Sequence, residues 1–192
     1  MSTEKQKLVE LWRSLVEKLD PRELAQKLAV SEGEVRELIR QLTELVEQHW
    51  STSEACVLYV DGASRGNPGP SGLGIVVRDP KSGRTVKEYA FIGTATNNVA
   101  EYKALIRGLE KVRDLGYRRV EVRTDSELLV KQVTGLYRVK SPDLIPLWER
   151  VRELVEGFDG VELKHVPRDE NREADLLSNQ AIDIAVARGQ AG

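Results

Sequence analysis

Four acidic residues, far apart along the chain, occupy positions from which their side chains could act together. Asp61 ends an apolar run typical of a strand, and Asp125 follows a second such run. The carboxyl ends of adjacent parallel strands meet at one edge of a sheet, so these two carboxylates are expected to converge. Glu101 and Asp175 each lie near the start of a predicted helix. Taken singly, each acid is also a favourable surface residue, and four unrelated surface acids are the alternative.

Convergence of the four carboxylates would have a definite chemical consequence. Mutual repulsion would raise their pKa values, and such a cluster is stable mainly when cations occupy it. Oxygen ligands without a nearby His or Cys favour Mg²⁺, with Mn²⁺ as a substitute, over Zn²⁺. Two such ions, roughly 4 Å apart, can hold the attacking and leaving oxygens of a phosphodiester. The pattern therefore favours metal-dependent phosphodiester chemistry.

The elements that must position these acids lie in residues 54–192. Three strands precede the first helix, and short turns predict that they form an antiparallel meander. Residues 66–70 are predicted to be a loop because they combine Gly, Asn and Pro. The order of elements is βββαβααβα, with strands at 56–60, 73–78, 84–92, 120–124 and 161–166 and helices at 98–115, 126–133, 143–158 and 171–187.

The sequence pattern of residues 1–53 predicts a separate, small all-α domain of three helices. Asp20 and Pro21 mark one helix start, and Ser31 with Glu34 forms a capping box at another. Residues 21–42 resemble a helix-turn-helix, but acidic residues on the last helix oppose binding to phosphates. Packing or self-association of these helices is therefore favoured over contact with nucleic acid, which stays as the alternative.

Bulk composition excludes several classes of protein. The 192 residues carry a net charge of −2 and one cysteine, which excludes an internal disulfide framework. No apolar run is long enough to span a membrane, and the first residues lack the apolar stretch of a secretory signal. We therefore expect a cytoplasmic protein with no membrane partner. Residues 103–140 hold ten basic and five acidic residues, which suits contact with phosphates or a solvated helix face.

Four short motifs, in order, resemble those of type 1 ribonuclease H. They are Tyr59 to Pro70 (YVDGASRGNPGP), Thr96 to Tyr102 (TNNVAEY), Thr124 to Ser126 (TDS) and Asn171 to Asp175 (NREAD). Together they cover about residues 56–186. The resemblance implies a ribonuclease H-like α/β fold with a mixed five-stranded sheet. It also implies an endoribonuclease that cuts the RNA strand of RNA–DNA hybrids, leaving 5′-phosphate and 3′-hydroxyl ends.

The resemblance assigns roles to individual residues. Asp61, Glu101, Asp125 and Asp175 would be the catalytic residues and the ligands of two Mg²⁺ ions. Amide and hydroxyl side chains can contact 2′-hydroxyls and base edges in a minor groove without demanding a sequence. Local turn formation and helix capping are the alternative role for the predicted substrate-binding residues, which are Asn67, Thr96, Asn97, Asn98 and Ser126.

The chain departs from the family pattern in two loops. Many members carry a mobile His shortly before the last Asp, whereas residues 166–170 contain none. Arg168 is a candidate substitute that would assist product release, and pairing with Asp169 or Glu170 is the alternative. Residues 134–141 are too short for the Lys- and Trp-rich handle of many members. The alternative functions are a nucleic-acid-binding protein on an inactive ribonuclease H-like scaffold and a nuclease of double-stranded RNA.

Overall fold

The protein consists of two compact units. The structure is a computed structural model in which residues 3–50 and 55–190 are described. Contacts between Cα atoms divide the chain into residues 1–52 and 53–192, one residue from the predicted boundary. Among the described residues, no helix has the length and apolar character needed to cross a membrane.

The second unit is built on a mixed five-stranded sheet, as predicted. Its strands lie in the order β3-β2-β1-β4-β5. β1 pairs antiparallel with β2, and β2 pairs antiparallel with β3. β4 pairs parallel with both β1 and β5. The strands are β1 (Ala55–Ser64), β2 (Gly69–Arg78), β3 (Thr85–Ala95), β4 (Arg119–Thr124) and β5 (Gly160–His165).

Helices cover both faces of this sheet. They are α4 (Asn97–Asp114), α5 (Glu127–Val133), α6 (Ile145–Glu156) and α7 (Arg172–Ala187). Side chains alternate between faces along a strand, so Leu58 and Val60 join the core beneath α4 while Tyr59 packs with Ala174 of α7. The sheet therefore separates α4 from α7, and the chain order βββαβααβα is confirmed.

Three element boundaries differ from the sequence predictions. β1 does not end at Val60 but continues through Asp61 to Ser64, because its antiparallel ladder with β2 extends to the pair Ser64–Ser71. For the same reason β2 begins at Gly69, inside the predicted loop 66–70. Helix α6 begins at Ile145 rather than at residue 143, with a proline in its first turn.

The first unit contains three helices, α1 (Thr3–Glu17), α2 (Pro21–Leu28) and α3 (Glu32–Trp50). The predicted start signals are confirmed. The Asp20 carboxylate accepts a hydrogen bond from the Arg22 backbone N–H at 2.9 Å. At the start of α3, the Glu34 carboxylate accepts from the Ser31 N–H at 2.8 Å and the Ser31 hydroxyl accepts from the Glu34 N–H at 3.2 Å, which completes the capping box.

Candidate active site

Asp61 lies inside β1, just beyond the residues of this strand that pair with its parallel neighbour β4. The parallel ladder between β1 and β4 ends with the pair Tyr59–Arg123. Asp61 and Asp125 each lie two residues beyond that pair, so the two strands bring them to the same end of the sheet. Asp61 is buried, and its carboxylate accepts a hydrogen bond from the Ser178 hydroxyl of α7.

Glu101 reaches the same end of the sheet from α4. Its carboxylate is buried and accepts a hydrogen bond from the Gly62 backbone N–H. The helix can approach β1 this closely because residue 62 has no side chain: a Cβ there would lie 2.2 Å from the Glu101 backbone nitrogen. Gly62 therefore fixes the separation between the strand that carries Asp61 and the helix that carries Glu101.

Asp125 follows β4 directly and is held by a buried amide. The Asn171 Nδ2 atom donates to Asp125 Oδ1 at 2.8 Å and to the Val60 carbonyl at 3.0 Å. This side chain links the loop before α7 to both central strands.

Asp175 lies in the first turn of α7, and two glycines of β2 bring this helix against the sheet. A Cβ at Gly74 would lie 2.1 Å from the Ala174 carbonyl oxygen, and a Cβ at Gly72 would lie 2.3 Å from that of Ser178. The close approach places Asp175 near Asp61 and Asp125. Arg168 Nη2 donates to Asp175 Oδ1 at 2.7 Å.

The acidic side chains described above lie around one cleft of about 260 Å³. All four predicted acids line it, although they come from four separate segments of the chain. Among the lining residues, all of which the structure describes, Arg168 is the one cation. The full lining is Asp61, Gly62, Ala63, Ser64, Asn97, Glu101, Asp125, Arg168, Asp175 and Asn179.

Burial and mutual repulsion raise the pKa values of the two deepest acids. Burial raises the pKa of Asp61 to about 6, the charges of Asp125 and Asp175 add to the effect, and the Ser178 hydrogen bond opposes it. Burial also raises the pKa of Glu101 well above its usual range, with further contributions from Asp61 and Asp125. Negative charge therefore accumulates in this cleft at a free-energy cost that a bound cation would reduce.

The donor set fits a hard divalent cation. All four acidic side chains offer carboxylate oxygens, the kind of donor that such a cation prefers, and the buried Glu101 Oε2 has no hydrogen-bond partner within the described part of the chain. No three His, Cys, Asp or Glu side chains among the described residues form a ready-made metal site. Three of the four acids are instead turned toward protein partners, namely Ser178, Asn171 and Arg168.

The predicted substrate-binding residues divide by position. Asn97 lines the cleft, and its backbone N–H donates to Asn67 Oδ1 at 3.2 Å, which ties the loop after β1 to the start of α4. Asn98 is exposed in the first turn of α4. Thr96 and Ser126 cap the N-termini of α4 and α5, with Oγ atoms that accept from backbone N–H groups at 3.4 Å. Local capping thus accounts structurally for these last two side chains.

Arg168 reaches the cleft from the loop before α7. Its side chain is 75% exposed while it pairs with Asp175. Pairing with Asp169 or Glu170 was the sequence-based alternative, and the observed partner is Asp175 instead. His165 ends β5 and is exposed.

Sequence reasoning missed the residues that hold the acids in place. Asn171 and Ser178 flank Asp175 at spacings of four and three, and Asn179 donates from Nδ2 to the Asp175 carbonyl at 2.9 Å. Residues three and four apart share one helix face, so this spacing was a usable signal. The close approaches at Gly62 and Gly74 carried no comparable signal, because a glycine in a strand does not reveal which backbone will lie against it.

Comparison with known proteins places this unit in a family. Residues 59–181 match the model of a family described as reverse transcriptase-like. Ribonuclease HI of Halobacterium salinarum is 48% identical over 127 residues, which make up 66% of this chain and 64% of that protein. The chain belongs to the ribonuclease H family. Bifunctional protein Rv2228c of Mycobacterium tuberculosis is 44% identical over 130 residues, 67% of this chain and 36% of that protein.

The ribonuclease H relatives also agree in structure. LC11-RNase H1, solved in complex with an RNA/DNA hybrid, is 44% identical with a TM-score of 0.65 over 68% of this chain and 99% of that one. The chain spans less than two thirds of the length of the two curated relatives named above. The α1–α3 unit lies outside the residues matched to the family model.

Proposed function

We propose that this chain is a divalent-metal-dependent endoribonuclease that hydrolyses the RNA strand of RNA–DNA hybrids. Membership of the ribonuclease H family supports the reaction class. The hybrid bound to LC11-RNase H1, a relative at 44% identity, supports the substrate class. The observation that carries the proposal is the cleft in which Asp61, Glu101, Asp125 and Asp175 converge with one exposed arginine as their counter-charge.

The electrostatics of this cleft fit a cation site better than a structural network. A structural set of buried acids is normally paired with cations or donors until its charges are satisfied. Here burial raises the pKa of Asp61 to about 6 and raises that of Glu101 well above its usual range, and one Glu101 oxygen has no partner among the described residues. Such an arrangement lowers the stability of the isolated protein and suits it to bind positive charge.

Two Mg²⁺ ions, with Mn²⁺ as a substitute, would supply an activated water and charge stabilisation at the scissile phosphate. We assign the four acids as their ligands. Ser178 and Asn171 orient the carboxylates of Asp61 and Asp125, and Gly62 holds Glu101 by its backbone N–H. Hydrolysis is expected to leave 5′-phosphate and 3′-hydroxyl ends.

Hybrid recognition is assigned to polar groups at the rim of the cleft. Asn97 lines the cleft with Glu101, and the hydrogen bond from its backbone N–H to Asn67 Oδ1 brings these two residues next to each other. Amides both donate and accept, which suits 2′-hydroxyls in a minor groove. Asn98 is exposed beside them, whereas Thr96 and Ser126 act chiefly by holding the helix starts that carry the site.

Arg168 is proposed to assist departure of the cleaved product. Its exposed guanidinium contacts Asp175 in the protein alone and can move to a phosphate, because a long surface side chain rearranges at little cost. This role would be the counterpart of the loop histidine that the chain lacks.

Cleavage of three duplexes tests the proposal. Matched RNA–DNA, RNA–RNA and DNA–DNA duplexes are incubated with the full chain, with Mg²⁺, with Mn²⁺ and with a chelator. We expect metal-dependent cutting of the RNA strand in the hybrid alone. Equal cutting of the RNA–RNA duplex would instead support a nuclease of double-stranded RNA, and binding of hybrid without cutting would support an inactive scaffold.

One pair of variants distinguishes a specific role of the four acids from a general effect of removing a negative charge. Asp125→Asn keeps the size of the side chain and removes its charge, and it is expected to abolish cleavage while the far-UV circular dichroism spectrum stays unchanged. Asp169→Asn removes an equal charge from an exposed loop residue outside the cleft and should cut normally. Undiminished activity of Asp125→Asn would refute the assignment of the acids.

A further inference from the structure

Asn179 lines the acidic cleft without being one of its acids. It lies on α7 one helical turn after Asp175, on the face of the helix that the four carboxylates share. Its side chain is partly buried, and its Nδ2 atom donates to the Asp175 backbone carbonyl at 2.9 Å. This bond fixes the orientation of the amide group relative to the helix.

The other polar atom of this amide is unused. Asn179 Oδ1 has no hydrogen-bond partner among the described residues, whereas Nδ2 has one. The oxygen is also accessible to solvent, unlike the unpartnered side-chain oxygens of Glu101 and Asn171, which are fully buried. A hydrogen-bond acceptor therefore stands open in the cleft, beside carboxylates that cannot donate to it.

The partner of this oxygen has to be a hydrogen-bond donor. Phosphate oxygens are acceptors, so the charged backbone of a bound strand does not satisfy it. Arg168, the cation among the residues lining the cleft, contacts Asp175 instead. Two donors remain for a cleft of this kind. They are the ribose 2′-hydroxyl of a bound RNA strand and the waters that Mg²⁺ typically keeps when it binds to a protein.

The spacing along α7 favours a water on the cation. Side chains four residues apart on a helix have Cβ atoms about 5–6 Å from each other, which makes Asn179 the neighbour of Asp175. An ion held by the Asp175 carboxylate would keep its waters about 2.1 Å away, and a hydrogen bond from such a water spans about 2.8 Å. An acceptor roughly 5 Å from the ion is thus within reach of one bound water.

We propose that Asn179 Oδ1 accepts a hydrogen bond from a water on the divalent cation held by Asp175. This inference rests on the proposed function, because it requires the four acids to bind that cation. A neutral amide adds an acceptor without adding negative charge, whereas a fifth carboxylate would increase the repulsion within the cleft. Residues that contact a metal site from this outer position typically change its affinity or activity about 10–100-fold when they are removed.

Calorimetric titration of the full chain with Mn²⁺, without nucleic acid, tests this contact. Asn179→Ala removes the oxygen and is expected to raise the Mn²⁺ dissociation constant about 10–100-fold. Gln180→Ala removes an exposed amide from the next position of α7, outside the cleft, and should bind Mn²⁺ as the wild type does. Far-UV circular dichroism shows that both variants are folded. Wild-type affinity in Asn179→Ala overturns the proposal.

Asn179→Ser separates the oxygen from the bond to the Asp175 carbonyl. A serine hydroxyl within a helix can donate to the carbonyl four residues earlier, so this variant keeps that bond while its shorter side chain withdraws the acceptor from the cleft. We expect it to lose Mn²⁺ affinity as Asn179→Ala does. Wild-type affinity in Asn179→Ser would assign the effect to the carbonyl bond and overturn the proposal.

Cleavage kinetics distinguish a contact with the cation from a contact with the substrate. Asn179→Ala should need about 10–100-fold more Mg²⁺ for half-maximal rate, while its KM for the hybrid at saturating Mg²⁺ stays unchanged. A raised KM with an unchanged Mg²⁺ requirement would make the 2′-hydroxyl the partner and overturn the proposal. A wild-type chain that takes up no Mn²⁺ would refute the metal site of the proposed function as well, whereas equal uptake by wild type and Asn179→Ala refutes the role of Asn179 alone.

Discussion

Gly62→Ala is the perturbation that most directly tests how the fold positions the acids. The added methyl group would lie 2.2 Å from the Ala100 carbonyl carbon and the Glu101 nitrogen, and 2.5 Å from the Ala100 oxygen. All three atoms belong to the backbone of α4, so no side-chain rotation can relieve the overlap. Ordinary contact begins at 3.4 Å, and the start of α4 must therefore move from β1 by about 1 Å.

This displacement should affect stability moderately and activity strongly. Overpacking of this kind costs about 1–3 kcal/mol. In a unit of this size, that lowers the midpoint of thermal unfolding by roughly 3–12 °C. The same shift separates Glu101 from Asp61 and breaks its hydrogen bond to the residue 62 N–H. A misplacement of about 1 Å can reduce the rate ~100-fold, so we expect a loss of that order in kcat on a hybrid.

The assay compares Gly62→Ala with Gly160→Ala under saturating Mg²⁺. Gly160 also lies in a strand, but a Cβ there would meet its nearest atom at an ordinary 3.8 Å. The control should retain wild-type kcat and unfold within a few degrees of the parent. Wild-type activity in Gly62→Ala would show that α4 does not approach β1 as closely as the structure indicates, and would refute the positioning argument.

Three further predictions concern the charges and their partners. Asp61→Asn should stabilise the chelator-treated protein by about 3 kcal/mol at pH 8. The pKa of Asp61 in the folded protein is about 6, against 3.8 for the ordinary group, so the wild-type protein loses stability as the pH rises between these two values and the Asn variant does not. Denaturant unfolding measures this, and the gain should vanish below pH ~4. Asn171→Asp places a second carboxylate against Asp125 and should lower kcat about 10–100-fold. An unchanged kcat would contradict the proposal that Asn171 positions Asp125. Arg168→Ala should lower steady-state kcat but leave single-turnover cleavage intact, and an equal loss in both would point to a role in the chemical step.

The convergence of the four acids was predictable because it depends on topology. An antiparallel meander followed by a parallel strand places the ends of β1 and β4 side by side, and the pair Tyr59–Arg123 puts Asp61 and Asp125 level with each other. Capping signals were equally readable, since Asp20 and Ser31 act through bonds to residues two and three positions away. Such features are encoded by short stretches of sequence.

The extent of β1 and β2 could not be predicted in the same way. Gly, Ser and Pro between residues 62 and 74 have low strand propensity, and they predict a loop. The ladder forms there because the small residues of β2 let α7 lie directly on the strand, where Gly72 and Gly74 face backbone atoms of that helix. Tertiary packing, which the local sequence does not reveal, therefore overrides propensity at this edge of the site.

The partners of the acids differ in how easily they can be displaced. Asn171 and Ser178 are fully buried, and each bonds to a second group as well as to its acid, so they keep their places whether or not a cation is present. Arg168 is largely exposed and contacts Asp175 through one guanidinium nitrogen, and an exposed pair of this kind contributes about 0–1 kcal/mol. The buried residues that hold Asp61 and Asp125 thus stay in place, whereas the exposed Arg168 side chain can be displaced from Asp175. A site built in this way can exchange its arginine for a divalent ion or for a phosphate-bearing product without disturbing the packing of α7.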